Sequence, residues 1–145
     1  MSKTHEHPTM KSRALILTHE IPISRTKKYW EGLKEGKVYA TKCKKCGQIY
    51  YPPQIDCFQC LSSDVDWIQL SNGSIETFTQ VYLKPQGFTH HERNYIIAIA
   101  KTTDGVRVMG WLEEKDVKVV KVGTPVKILA EIMPDGFPII IFKPT

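Results

Sequence analysis

The sequence predicts a mainly β protein: an N-terminal helical arm, a rubredoxin-like zinc ribbon, then a five-stranded barrel of the OB type. Three observations carry this prediction. Two Cys-x-x-Cys pairs, Cys43/Cys46 and Cys57/Cys60, are separated by ten residues in the run CKKCGQIYYPPQIDCFQC. A short amphipathic stretch lies just ahead of them. After Gly73, five short runs rich in β-branched residues are divided by Gly, Pro and Asp. The expected divisions are a flexible tail over 1–21, the arm over 22–37, the ribbon over 38–70 and the OB-fold domain over 71–145.

The tail shows no sustained period. His5 and His7 sit in it without companion ligands, its run 13–17 suggests a short contact with the body, and an apolar run lies within that at 14–17. That run is too short for the core of a signal peptide. Ser24, with Pro22 just before it, is the expected N-cap of a helix over 25–34 that Gly36 ends. Tyr29, Trp30 and Leu33 fall at i, i+1 and i+4 and make one apolar stripe. Lys27, Lys28, Glu31, Lys34 and Glu35 take the other side. Two uses for Tyr29 and Trp30 stay open: packing on the ribbon, or meeting a ligand or another protein.

In the ribbon, each Cys-x-x-Cys pair turns two thiolates toward one point. Two such knuckles complete the tetrahedral set of a structural zinc, with Zn–S distances near ~2.3 Å. Gly47 follows the first pair, where a tight turn favours positive φ. Two disulfides would need an oxidising compartment, which nothing in the N-terminal residues suggests. A redox Cys-x-x-Cys comes singly on a thioredoxin-like unit, absent here. Iron in an S₄ site is the geometric rival to zinc. Four thiolates leave no open coordination position, so the metal is structural. Strands are expected at 38–42, 49–51 and 67–70, with Pro52-Pro53 halting the second. So small a module has little core of its own, and metal binding becomes part of its folding free energy.

The barrel strands are expected at 75–83, 95–101, 106–112, 126–133 and 137–143. Alternation puts Ile75, Val81 and Leu83 on one side of the first, Phe78 and Tyr82 on the other. In the third, Val106, Val108 and Leu112 point inward with Gly110 at a point of strong curvature. Arg107, Met109 and Trp111 point outward. An outer face carrying Phe78, Tyr82, Arg107 and Trp111 either binds a ligand or docks the arm and ribbon. The loop 84–93 is long for a hairpin and reads as mobile, and its His90 and His91 lack further ligands nearby.

A chain of 145 residues, 41% apolar, is enough for one ordinary domain or two small ones sharing a surface. No apolar run approaches the length that spans a bilayer, so the expected location is cytoplasmic, with no membrane partner. The formal charge of +5 is uneven: residues 1–50 hold eleven Lys/Arg against four Asp/Glu (+7), and the remainder nine against eleven (−2). Zinc on four thiolates adds −2, leaving about +3. A basic half suits an anionic partner, nucleic acid or a nucleotide-bearing cofactor. A solvated lysine-rich surface accounts for it equally well. No nucleophile motif or phosphate-cradling glycine loop is present, which makes a free-standing hydrolase or reductase the least favoured class.

The order of parts carries a resemblance: YWEGLKEGK at 29–37, the two knuckles with Pro-Pro between them, SNGSIETFTQV at 71–81, and the closing Phe-Lys-Pro at 142–144. In combination these resemble the thiolase-associated family of zinc-ribbon and OB-fold proteins, long described as a domain of unknown function in archaea and bacteria. The resemblance covers about residues 22–144. It implies a non-catalytic accessory or scaffold protein beside thiolase-superfamily enzymes, binding or channelling acyl-CoA. In the archaeal mevalonate pathway a family member bridges a thiolase and a hydroxymethylglutaryl-CoA synthase. Carried over, Cys43, Cys46, Cys57 and Cys60 would hold the zinc. The helix with Tyr29 and Trp30 and the outward barrel face would be contact surfaces. Arg25, Lys27, Lys28 or Arg107 would meet the phosphates of CoA. The rival class is a single-stranded nucleic-acid-binding module that stacks bases on exposed aromatics. Against it, the barrel portion is close to neutral, with nine Lys/Arg and eight Asp/Glu over 71–145, and the positive charge lies ahead of it.

Overall fold

A computed structural model describes residues 8–15, 17–83 and 94–145. The expectations for His5, His7 and the loop 84–93, with His90 and His91, lie outside the described residues. Leu15 and Leu17 are exposed. The contact expected between the run 13–17 and the body is therefore not formed by its described residues, all of them exposed.

A 3₁₀ turn over Ser24–Thr26 leads into α1 (Lys27–Lys34). Ser24 is not the cap of the α-helix: Thr26 holds that position, and its side chain makes no capping bond. The Thr26 N–H bonds the Ile23 carbonyl at 3.0 Å and winds the chain into a tighter turn first. The other end matches expectation. Gly36 takes φ 81°, the Lys37 N–H reaches the Gly32 carbonyl at 2.8 Å, and the Gly36 N–H reaches Leu33 at 3.2 Å. That pair of bonds satisfies the last carbonyls of the helix.

β1 (Val38–Cys43), β2 (Ile49–Tyr50) and β3 (Val65–Leu70) form an antiparallel sheet in the order β2-β1-β3. β3 starts two residues earlier than its sequence pattern because Val65 and Asp66 pair with Cys43 and Lys42. Val38, Ala40 and Leu70 are fully buried and share one apolar cluster with Leu33 of the arm and with Ile128, Ala130 and Phe142. The ribbon thus contributes to a core that continues into the barrel. Each such side chain removed from water adds about 1.5–3 kcal/mol, somewhat less for alanine.

β4 (Asn72–Val81), β5 (Tyr95–Thr102), β6 (Arg107–Leu112), β7 (Pro125–Ile132) and β8 (Pro138–Pro144) close a barrel in the order β4-β5-β6-β8-β7. β7 returns to β4, and β6 runs parallel to β8. This is the OB arrangement. α1 lies against β7 and β8, and the Ala130 N–H bonds the Gly36 carbonyl at 3.1 Å. The arm therefore docks over β7 and β8, and not on the face expected to carry Phe78 and Trp111.

Phe78 itself requires a correction. The register between β4 and β5 slips between Ile75 and Thr77, so Glu76 is an extra residue and the alternation inverts beyond it. Phe78 consequently packs against the buried cluster, while Thr77 and Thr79 are exposed. Past the same bulge Val81 is only half-buried and Leu83 is exposed, so neither shares the inward side with Ile75. β6 keeps its expected facing: Val108 and Leu112 are buried, Arg107 and Met109 exposed, Trp111 half-buried. Gly110 serves a close approach. A Cβ there would stand 2.9 Å from the Ile140 carbonyl oxygen and 3.0 Å from Phe142 Cζ.

Candidate metal centre

The four cysteine sulfurs lie within 4.8 Å of one another. Cys43 Sγ and Cys60 Sγ are 3.5 Å apart, Cys46 Sγ and Cys57 Sγ 3.4 Å. A tetrahedron of sulfurs around zinc at ~2.3 Å has edges of about 3.8 Å, so the set fits such an ion with little adjustment. The two knuckles follow one pattern. Gly47 N–H bonds the Cys43 carbonyl and Leu61 N–H the Cys57 carbonyl, both at 2.9 Å. Cys43 N–H bonds Gln48 at 2.8 Å and Cys57 N–H bonds Ser62 at 2.9 Å. Gly47 and Leu61 occupy the same left-handed position, with φ 76° and 58°.

The same pattern aims amide donors at the sulfurs. Cys43 Sγ receives the N–H groups of Cys46 and Lys45, and Cys57 Sγ those of Cys60 and Gln59. Cys46 and Cys60 receive those of Gln48 and Ser62. Such bonds favour the thiolate. Cys57 also meets the Tyr50 hydroxyl at 3.3 Å, which in turn accepts the Phe58 N–H at 3.2 Å. The Tyr50 hydroxyl is the largest influence on this thiol; against the opposing effect of burial, it and the amides bring it down to about 6. On Cys46 the Gln48 N–H works downward but is overcome by the neighbouring Cys57 and Cys43 sulfurs and by burial, and the thiol rises to about 12. Four sulfurs this close cannot all carry charge alone. A dication resolves the conflict, and these residues would hold it with every position filled by protein.

Between the knuckles, the buried Thr41 hydroxyl donates to the Gln54 carbonyl at 2.7 Å and accepts the Gln54 N–H at 2.9 Å. The arm is tied to the same loop. Arg25 grips Asp56 through two bonds of 2.8 Å, and the Ser63 hydroxyl adds a third at 2.7 Å. The hydroxyls of Tyr29 and Tyr51 meet at 3.1 Å, and the Tyr29 ring stands edge-on to Trp30 and Tyr51. Burial raises both phenols, so each stays neutral at ordinary pH.

The Arg25 guanidinium first, and then the Ser63 hydroxyl, hold the Asp56 carboxyl down at about 2, below its ordinary 3.8. A depressed carboxyl contributes stability that is complete above the unfolded value and fades as pH falls through the folded one. The latch is therefore intact from neutral pH to about pH 4 and weakens only between about 4 and 2. Disruption of the ribbon that begins at a higher pH is expected to be metal loss. A chromogenic chelator should report the same acid midpoint for zinc release in Asp56→Asn as in the unsubstituted chain. A clear upward shift of that midpoint would show that the latch and the metal titrate together.

The metal-site module and the barrel each match a family model. The ChsH2 rubredoxin-like zinc ribbon domain covers residues 30–66, and the ChsH2 C-terminal OB-fold domain covers residues 67–131. The chain belongs to the ChsH2 (DUF35) family. A DUF35 domain-containing scaffold protein of Methanocaldococcus jannaschii is 29% identical over 111 residues, 74% of this chain and 78% of the relative. The Ltp2-ChsH2(DUF35) aldolase structure superposes with a TM-score of 0.72 at 21% identity, over 81% of this chain and 92% of that one. A DUF35 protein of unknown function from Sulfolobus solfataricus gives 0.56 at 22% identity, over 82% and 84%. At these identities the structural likeness speaks for the fold.

This DUF35 chain places its remaining candidate residues as follows. Arg107 is tied to Glu76 through Nη2–Oε1 at 2.8 Å and a second bond from Nε. Lys27 pairs with Glu31 at 3.4 Å, and Lys28 lies 5.4 Å from the centre of the Tyr39 ring. Tyr82 is exposed and donates to Gln80 Oε1 at 3.1 Å. Trp111 stacks on Tyr95, ring centres 4.2 Å apart. The structure does not gather these side chains around one point. Sequence reasoning missed Tyr50 as a donor to Cys57 and Asp56 as the anchor of Arg25. Neither has a local signal. Leu61 had one, since laying CFQCLS over CKKCGQ puts it opposite Gly47. Among the described residues no helix is long and apolar enough to cross a membrane.

Proposed function

We propose that the chain is a non-catalytic scaffold subunit with a structural zinc, holding a thiolase-superfamily enzyme in a complex that binds or passes on acyl-CoA. The observation that carries this is the closed four-sulfur site. Bound there, the ion supplies no open position for substrate, and it fixes a ribbon whose buried face is shared with the arm and the barrel. The scaffold name of the archaeal relative and the aldolase complex formed by the structural neighbour support an enzyme partner. Zinc is favoured over iron by the ribbon family that the module matches.

Of the four cations considered for CoA phosphates, Arg25 and Arg107 are each held by a two-pronged carboxylate, the stronger kind of pair. Among the described residues Lys27 has an exposed i,i+4 partner and Lys28 a ring, both weaker holds. We retain these two as the phosphate-facing residues. The test is to purify the zinc-loaded chain from its native source, identify what it retains, and titrate the complex with acetyl-CoA. A thiolase-superfamily enzyme in fixed ratio, with saturable binding of the thioester, is the expected result. Binding of a single-stranded oligonucleotide that weakens steeply with salt would favour the nucleic-acid reading instead. Turnover of acetyl-CoA by the chain alone would overturn the non-catalytic assignment.

A further inference from the structure

The second knuckle differs from the first in one respect that the fold does not reward. Where the first turns on Gly47, the second turns on Leu61, an L-residue with a branched side chain held at φ 58°. That region is unfavourable for leucine, whose Cβ crowds the following carbonyl, and natural for glycine. The Leu61 side chain recovers little of the cost by burial, being 85% exposed. Phe58, in the same knuckle, is 75% exposed and touches the protein through an edge contact with Tyr50. Two large apolar side chains thus project from a turn tied by its own backbone bonds and by its two cysteines, and one of them opposes the local backbone.

The charge around this tip narrows what it meets. Residues 38–70 carry Lys42, Lys44 and Lys45 against Asp56, Asp64 and Asp66, and Arg25 of the arm is paired with Asp56. Four thiolates on one zinc add −2. Lys44 is engaged by Asp64 at 3.1 Å and by Asp66 at 3.8 Å. With these pairs made the ribbon carries little net charge, so it presents no basic field to nucleic acid, CoA phosphates or anionic lipid, and an apolar protein surface is the complement.

We propose that Phe58 and Leu61 are the anchor pair by which the second knuckle docks into an apolar pocket of the thiolase-superfamily enzyme. This rests on the scaffold reading above and names the contact it leaves open. A rigid turn that presents two apolar side chains fits the pattern of a small central hot spot, in which few residues carry most of the affinity.

The experiment compares the full zinc-loaded chain with Leu61→Gly and Leu61→Asn, both of which accept the left-handed backbone. Zinc content, thermal midpoint and affinity for the identified enzyme are measured side by side. Both variants should keep one zinc, and Leu61→Gly should melt no earlier than the unsubstituted chain. Both should bind the enzyme about 10-fold more weakly or worse. Undiminished binding by both would overturn the docking assignment alone. Failure of the unsubstituted chain to retain any such enzyme would overturn the scaffold reading, and the docking with it. A homodimer in sedimentation that Leu61→Asn dissolves would reassign the tip to a second copy and overturn the proposal.

Discussion

Cys43→Ser should abolish stoichiometric metal binding and unfold residues 38–70 while most of the barrel stays closed. A structural zinc contributes on the order of 10 kcal/mol to the folding of a module this small, more than its short strands supply. The barrel has its own continuous hydrogen-bonded ring, but it will not be indifferent. Val38, Ala40 and Leu70 cover part of the cluster that holds Ile128, Ala130 and Phe142, and their departure exposes that side to water. Hydrogen exchange read by mass spectrometry should show β1 to β3 exchanging as an unfolded chain, β7 and α1 partly deprotected, and β4 to β6 still slow. An unchanged metal ratio together with an unchanged exchange map would mean that the four sulfurs do not act as one site.

Phe142→Ala should produce the largest loss from any single core position. Phe142 is fully buried and, among the described residues, the bulkiest such side chain. It stands close beside Gly110, where the strands approach too nearly to refill a cavity. Such truncations cost about 3–5 kcal/mol, a large fraction of the roughly 5–15 kcal/mol that holds a domain together. For a chain of this size that corresponds to a fall in melting temperature of about 10 °C. Metal content should be unaffected at low temperature, since Phe142 belongs to β8 of the barrel and the four ligands to the knuckles of the ribbon. A measured loss below about 1 kcal/mol would show that the site collapses around the smaller residue, against the packing described.

These two cases also show what was readable in advance. The knuckles were legible because ligand spacing is a local property, and the cysteines converge where the spacing says they should. The five barrel runs were legible from β-branched composition and punctuation, and Phe-Lys-Pro did mark the closing strand. Phe78 was misplaced because one extra residue at Glu76 inverts a period of two, and no composition reveals a bulge. The helix start was misplaced because Ser24 makes as plausible a cap as any, and only the Ile23 carbonyl decides that the first turn is tighter. Arg25 and Arg107 read as cations available to a phosphate. Each is instead answered by a carboxylate 31 residues away in sequence, a pairing that only the folded chain defines. Tyr29 and Trp30 went the other way: their stripe was legible, and both rings are half-buried, packed against the core with Tyr29 beside Tyr51.

The position of β8 has a consequence for how the molecule is made. It is the last strand in sequence, yet it lies between β6 and β7, joined to the first through Trp111 and Ile141 and to the second along its whole length. During synthesis the knuckles emerge and can capture their ion while the ring of strands is still open, because the piece that completes it has not left the ribosome. Early-emerging modules generally assemble first, and distant strand pairings come late. Metal starvation would then act before closure: the ring would form against a neighbour that had missed its moment to fold, leaving shared apolar surface open to aggregation.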